Sequence, residues 1–477
     1  MRDLTLPAAA VPASFVENDG AFFWLEKTAN GKQLVIEGAS VAVLDRFEGK
    51  SDQGRFRADA NAANALALRN TLTNLRPARF GLKTSVGMGD RLGISTPAHV
   101  AALKAVGGSI NPIFAQQSVR EVARTNRTPR IVLDDATWGA FEGGWIGPVS
   151  ADADHLHTVE DIDAYAQAGF VFWTIDPGDK VDPEAQFATA ATLRAKAEAL
   201  DWKALDSSFE AFLAAYRDHA IELENESIVL DEESLVRAIA KYGPALVKAV
   251  AMAGYLQSLG IEHEIEIAID ETEFPTTPAE HVVVISELAR LGVKPVSFSP
   301  RFVGGFEKGI EYIGDVEELT RDFQVHAAIA KALGPYKLSL HSASDKYCVY
   351  EPFVEATGGV LHMKTSGTTW AEALRVIVNH DPQLMRELLD KSLQFYDQNR
   401  QSYPMTADPS TVPAHPTPGQ LERLLDVNAS RQILHVGFGT SLATFHDRLF
   451  DIWNANTDEL REILTKHFIR HLQPFAN

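Results

Sequence analysis

"EIEIAIDETEFPTTPAEHVVVISELARL", Glu264 to Leu291, holds a strand, a loop and a helix in one run. In its first part Ile265, Ile267 and Ile269 alternate with Glu264, Glu266, Ala268 and Asp270, the period of a β-strand with one apolar and one polar face. Further on, Thr277 and Pro278 open a helix, and Glu280 completes a capping box. The polar face decides the reading. If the isoleucines pack under helices, the acids point into the interior, where an unpaired carboxylate loses several kcal/mol of hydration or shifts its pKa. Such a face suits a metal site or acid–base chemistry. The alternative is an edge strand with one wet face.

The same unit recurs on both sides. "RFGLKTS", "NPIFAQQ", "ADHLHT", "FVFWTID", "EIEIAID", "PVSFSP", "KLSLHSAS" and "GVLHMKTS" read as strands, each followed by a helical stretch. Helix openings include Thr96–Pro97, Thr128–Pro129 and the pair Thr369 with Glu372. About eight strand–helix repeats predict an α/β fold, a TIM-like (β/α)8 barrel, over an open doubly wound sheet or two smaller domains. The barrel is predicted over 76–380. Residues 1–75 form a β-rich extension, with "GAFFWLEK", "QLVIEG" and "VAVLDRF" as short strands. A helical insertion without strands is predicted over about 183–259, and a helical C-terminal region over 381–477.

Composition narrows the partners. With 44 basic and 64 acidic residues the net charge is −20, which repels nucleic acid and anionic lipid. Cys348 is the only cysteine, so no internal disulfide forms, and a reducing compartment fits. "MRDLTLPAAAVPASF" lacks a basic start followed by an apolar run, and no span is long enough for a bilayer, so a cytoplasmic protein without a membrane partner is predicted. "GMGDRLG" and "GFGTSLA" both miss the spacing of a dinucleotide-binding loop. Composition leaves homo-oligomerisation open.

Barrel active sites are built from residues at the C-terminal strand ends. "SADADHLHT", 150–158, places Asp154, His155 and His157 at one such end; "FVFWTIDP" places Thr174 and Asp176; "KLSLHSASDK" places His341; "GVLHMKTS" places His362 and Lys364. Taken singly, a strand histidine is more often a satisfied core residue, and the acids of "SADADHLHT" suit a polar turn. Together, imidazoles from three strand ends suit Zn²⁺ or Mn²⁺, and the predicted metal ligands are His155, His341 and His362. Lys83, Arg91, Arg120, Arg301, Lys346 and Lys364 are candidates to hold a carboxylate or phosphate. Gln116, Asp176, Arg301, Lys346 and Lys364 are predicted as substrate contacts.

The ordered run "GMGDRLGISTPAH", "FAQQSVREVARTNRTP", "DDATWGAF", "ADADHLHT", "TIDPGD", "IDETEFPTTPAEH", "SPRFVGGFEKGIEYIGD", "LHSASDKY" and "HMKTSGTTWAEALRV" resembles the tagaturonate epimerase family, from about Phe80 to Arg375 and more loosely to the C-terminus. The resemblance implies a divalent-metal-dependent enzyme that interconverts D-tagaturonate and D-fructuronate in bacterial hexuronate breakdown. It also implies that Asp154 precedes a metal-binding His155, that Glu266 is the partner acid, and that His341 and His362 fill further histidine positions. His157, Ala343 and Ser366 depart from the family's Lys, Gly and Ala. The two keto-uronates differ at a hydroxyl carbon β to the ketone, so enolisation alone does not invert it. Retro-aldol cleavage, rotation of the aldehyde fragment and re-addition do, with Asp154 and Glu266 as acid and base. The rival readings are a metal-dependent class II type aldolase on a keto-sugar acid and a cytoplasmic acidic-sugar-binding protein. Incubation with the keto-uronate separates them by product analysis. An epimerase returns a six-carbon isomer, an aldolase releases two three-carbon fragments, and a binding protein returns the substrate unchanged.

Overall fold

The eight strand–helix units close on themselves. The computed structural model describes residues 6–29, 31–224, 227–365, 368–403 and 405–476. Its barrel strands are β1 (Ser85–Gly87), β2 (Asn111–Ser118), β3 (Ser150–Leu156), β4 (Phe172–Ile175), β5 (Glu264–Ala268), β6 (Ser297–Ser299), β7 (Lys337–Leu340) and β8 (Leu361–Lys364). They pair in parallel, in chain order, and β8 closes onto β1 with His362 opposite Ser85. At the other seam Glu266 of β5 lies opposite Thr174 of β4. Ile265, Ile267 and Ile269 are buried in the main apolar core with Leu256, Val282 and Ile285, so the β5 acids face the barrel axis.

The helix entries follow local chemistry. Thr277 Oγ1 accepts from the Glu280 N–H at 3.2 Å, and the Glu280 carboxylate accepts from the Thr277 N–H at 2.8 Å. Thr128 Oγ1 likewise accepts from the Ile131 N–H. Two entries differ from expectation. Thr96 is the first residue inside its helix, and the turn before it is held by Asp90, which accepts from the N–H groups of Leu92, Gly93 and Ser95. Thr369 lies inside the helix Thr368–His380, and Glu372 pairs with Arg375 and Arg431 instead of capping it.

Some boundaries also move. The first strand starts at Ser85, at the end of "RFGLKTS"; the stretch before it is a turn whose Phe80 and Gly81 N–H groups donate to Glu264, at 3.0 and 2.5 Å. Lys83 is therefore exposed at the N-terminal end of the barrel, opposite the strand ends that carry catalytic groups. The N-terminal extension is a five-stranded antiparallel sheet between Ala10 and Asp59, in which Val41–Leu44 forms a short helix rather than a strand. The stretch predicted to lack strands contains a hairpin, Ala220–Glu222 with Ser227–Val229. It ends in the 27-residue helix Glu232–Ser258, which buries Leu235, Ile239, Leu246 and Leu256 and is the barrel's own crossover from β4 to β5. The insertion thus ends near Asp231. Sequence periodicity runs unbroken from inserted helices into the barrel helix, so it does not mark that boundary.

After the barrel, the helices Pro382–Gln394, Asn428–Val436, Phe438–Ala455 and Thr457–Leu472 build a second core around Trp370, Leu388, Leu434 and Trp453. The last helix packs along Thr96–Val106. Among the described residues no helix is long and apolar enough to cross a membrane. Brief proteolysis of the folded protein should nick the exposed hairpin 220–229 before any barrel strand, because short exposed strands open locally at low cost. N-terminal sequencing of the fragments checks this, and early cuts within β5 or β7 contradict the assignment.

Candidate active site

The site begins with a defect in β3. Strand alternation aims Asp152 and Asp154 at the axis and would turn His155 outward. Instead His155 adopts φ +53°, and the pairing with β4 shifts register between Ala153 and Leu156. A non-glycine residue at positive φ is uncommon and is sustained only by its surroundings. The bulge places Asp154 and His155 on the same side. Ser342, directly after His341 of the β7 end, has φ +49° and bends that chain over the site in the same way.

Lys364 of β8 enters the middle of the barrel. Its Nζ lies 2.8 Å from Asp152, 2.7 Å from Asp154 and 2.8 Å from Glu266, and donates to Thr174 Oγ1 at 2.5 Å. All four charged groups are buried. Burial raises the Asp154 carboxyl, but Lys364 and the neighbouring imidazoles outweigh it and hold the group below the usual carboxylate range. Glu266 is held well below its ordinary value in the same way, by Lys364 and His341 against burial. Burial, with Asp154 and Glu266 alongside, pushes Asp152 up to about 7. The ammonium therefore supports ionised Asp154 and Glu266 at the expense of Asp152.

Two imidazoles face each other beside this cluster, with ring centroids 5.1 Å apart. His155 Nδ1 meets Asp176 at 2.8 Å, and His341 Nε2 meets Glu266 at 2.8 Å. Burial lowers both imidazoles, yet the acids around them raise His155 to about 10 and His341 to about 9. Each ring thus has one nitrogen fixed by a carboxylate and the other turned inward. His341 Nδ1 and Asp270 Oδ1, both buried atoms, are 3.0 Å apart and have no other partner among the described residues. The ligand atoms of His155, Asp270 and His341 lie within 4.8 Å of one another. Two imidazoles and a carboxylate, each imidazole backed by an acid, fit a divalent cation such as Zn²⁺ or Mn²⁺. Two ligands come from the predicted set and one does not. His362 sits a layer lower, its Nδ1 against Ser85 and its ring against Phe172, and burial holds it well below its ordinary pKa. Asp270 takes its place, because alternation from Glu266 carries it to the strand-end level.

Gln116, Asp154, His155, His341 and Lys364 line one inner chamber; Arg91 and Arg120 join them. It opens past His341, Ser342, Lys308 and Tyr403 into an outer vestibule of about 680 Å³ that includes Asp270 and Arg301. Gln116 donates to Asp154 at 2.6 Å. Glu266 and Asp176 lie behind the first layer and reach the chamber through His341, Lys364 and His155. Arg301 spends its guanidinium on the Phe302 and Gly304 carbonyls. Lys346 is buried against the carbonyls of Glu307, Ile310 and Ser344, so it clamps a loop rather than facing the chamber. Lys364, predicted to hold the substrate's negative charge, is already surrounded by three carboxylates. His157 stands half-buried at the rim and Ala343 is buried, while Ser366 lies outside the described residues. Sequence reading placed Asp270 on the inner polar face without naming it a site residue, and it did not single out Asp152, Glu271, Lys308, or Tyr403 and His435 of the C-terminal region. Asp152 and Asp270 carried the same alternation signal as Asp154 and Glu266; the others carried none.

A closed parallel barrel with carboxylates, imidazoles and an ammonium gathered at the C-terminal ends of its strands is the framework of a barrel enzyme for a small polar substrate. Comparison with known proteins makes this specific. The chain belongs to the tagaturonate epimerase family, whose model matches residues 11–475. It is 40% identical to the tagaturonate/fructuronate epimerase of Thermotoga maritima, over 96% of this chain and 95% of that protein. The native crystal structure of the fructuronate-tagaturonate epimerase UxaE from Cohnella laeviribosi matches with a TM-score of 0.91 at 33% identity, covering 98% of this chain and 96% of that one. A glycerol complex of the same enzyme matches equally, with a TM-score of 0.91. The chain is accordingly an isomerase of the carbohydrate epimerase kind.

Replacing Lys364 by Met leaves three buried carboxylates without their counter-charge and should destabilise the fold by about 3–5 kcal/mol. Without the ammonium, the native-state pKa values of these acids rise above their unfolded values. Their stabilisation is then present only below the unfolded pKa and is lost as pH rises. The deficit against the parent protein should be larger at about pH 8 than at about pH 5.5 in urea unfolding. An equal deficit at both pH values contradicts the assigned role.

Proposed function

We propose that this chain interconverts D-tagaturonate and D-fructuronate in hexuronate breakdown, as a metal-dependent epimerase acting by retro-aldol chemistry. The observation that carries the reading is the placement of Asp154, held ionised by Lys364 and Gln116, beside the His155–Asp270–His341 set in one chamber. The names of the relatives supply the substrate pair. A divalent cation held by His155, Asp270 and His341 supplies Lewis-acid polarisation of the ketone.

The rest is the work of this chain's own groups. Asp154 removes the proton of the hydroxyl on the carbon β to the ketone. The bond between that carbon and the α carbon breaks, its electron pair enters the ketone as an enolate, and the β carbon becomes an aldehyde. The aldehyde half turns over at the mouth of the chamber, where the vestibule supplies the room, and presents its other face. The enolate carbon re-forms the bond, and the new alkoxide takes a proton. Lys364 is the chamber donor within 2.8 Å of both Asp154 and Glu266, so it serves as the proton's carrier between them. Glu266 acts through Lys364 and His341 rather than on the substrate. No net oxidation occurs, and every proton removed is returned.

An aldolase would use the same opening step and release both halves. The chamber favours retention, because Tyr403 and His435 from the C-terminal region wall it beyond the barrel. With metal restored, NMR should show interconversion of the two uronates without accumulation of three-carbon products. His155→Ala and Asp270→Ala should lower metal content, whereas His362→Ala should retain metal. Asp154→Asn should keep its metal and lose about a hundredfold to ten-thousandfold in turnover, the usual range for a missing general base. Loss of metal from Asp154→Asn would make Asp154 a ligand and move the base elsewhere.

A further inference from the structure

The chamber's cations are not equally engaged. Arg91 is bound to Glu121, Arg120 is bound to both oxygens of Glu271 at 2.7 Å, and Lys364 sits among three acids. Lys308 differs. Its Nζ donates to Ser342 Oγ at 2.7 Å, and among the described residues no carboxylate stands within ion-pair distance of it. In a protein of net charge −20, a half-buried ammonium without an acid partner is a place for an incoming anion. Lys308 also lies over the ring of Tyr403, 5.6 Å from its centroid.

Tyr403 belongs to the C-terminal region and lines both the chamber and the vestibule. Tyr403 is 7% exposed, and among the described residues its buried hydroxyl has no hydrogen-bond partner. A buried hydroxyl loses its water and regains that loss only when a ligand supplies the missing bond. An ammonium without an acid partner thus lies over the ring of a phenol whose hydroxyl is unmatched among the described residues, both on the wall shared by chamber and vestibule.

We infer that Lys308 and Tyr403 form the subsite for the substrate's carboxylate, and that the C-terminal region therefore takes part in substrate recognition. The inference rests on the keto-uronate reading above. In the retro-aldol route the aldehyde half, which carries the carboxylate, turns over while the enolate half stays in place. Its anchor has to retain the charge yet allow rotation. An ammonium is a compact charge with rotatable donors, and a phenol adds a single donor. An arginine fork would fix the carboxylate plane through two parallel bonds. Lys308 and Tyr403 are specificity and pivot residues that contact the substrate without taking part in bond breaking.

The test uses binding and turnover separately. In the metal-loaded Asp154→Asn protein, calorimetry measures the affinity for D-tagaturonate and for the neutral ketose D-tagatose without turnover. Adding Lys308→Met should weaken the uronate about ten- to a hundredfold, the range of a charge-assisted bond, and leave tagatose unchanged. Tyr403→Phe should weaken the uronate about two- to tenfold. In the otherwise unaltered enzyme, Lys308→Arg should keep KM within about threefold and lower kcat more than about tenfold. Thermal melts confirm folding, and Lys308→Gln replaces a variant that fails to fold. Unchanged uronate affinity in folded Lys308→Met or Lys308→Gln overturns the subsite, and normal kcat in Lys308→Arg overturns the pivot. If the Asp154→Asn protein binds neither sugar, the keto-uronate reading itself fails, a result distinct from either of these.

Discussion

One ammonium organises the centre of this barrel. Lys364 stands within 2.8 Å of Asp152, Asp154 and Glu266, in a place without bulk water. Three carboxylates converging from β3 and β5 would repel one another strongly in that environment. The lysine turns the repulsion into a network and decides where the remaining proton resides. It favours ionised Asp154 and Glu266 and leaves Asp152 as the group pushed up to about 7. Asp154 is thereby held ionised at the chamber wall.

The proposed metal ligands depend on the same network. Glu266 Oε1 meets both Lys364 Nζ and His341 Nε2 at 2.8 Å, so the ammonium and the imidazole are fixed relative to each other through one oxygen. Asp176 performs the orienting task for His155. With both outer nitrogens engaged, the inner nitrogens face Asp270. The bulge at His155 makes this possible, because regular alternation would send either Asp154 or His155 to the helix side of the strand. Asp154 and His155 become neighbours in space as well as in sequence.

The C-terminal region adds what the barrel lacks. Barrel strands supply the acids, imidazoles and ammonium of the chamber, while Tyr403, from the bend after Arg400–Ser402, and His435, from the helix Asn428–Val436, arrive from a region with a separate apolar core. The proposed chemistry, which breaks a carbon–carbon bond and remakes it, would need both halves kept together, and a wall from outside the barrel would serve that need. The Arg431 pairs with Asp345 and Glu372, together with the packing of the last helix along Thr96–Val106, tie this wall to the barrel.

Much of this was legible in the chain itself. Alternation in "EIEIAIDE" put acids on the inner face, eight strand–helix units specified the closed barrel, and strand-end logic found Gln116, Asp154, His155, His341 and Lys364. These are local signals, since a strand's two faces and a helix's cap are set by neighbours a few residues away. His362 lies a layer lower than the other two imidazoles, because alternation gives a side but not a depth along the barrel axis. Lys346 and Arg301 are engaged by backbone carbonyls, which a sequence does not show beside a positive charge. Lys308 and Tyr403 carried no signal, since they reach the chamber from a loop and from a separate region. The sequence by itself determined the fold class, the polar inner face and the residues that turn toward it. Only the tertiary structure decided which charges neutralise one another and which are left to meet a ligand, because that depends on distances between segments far apart in the chain.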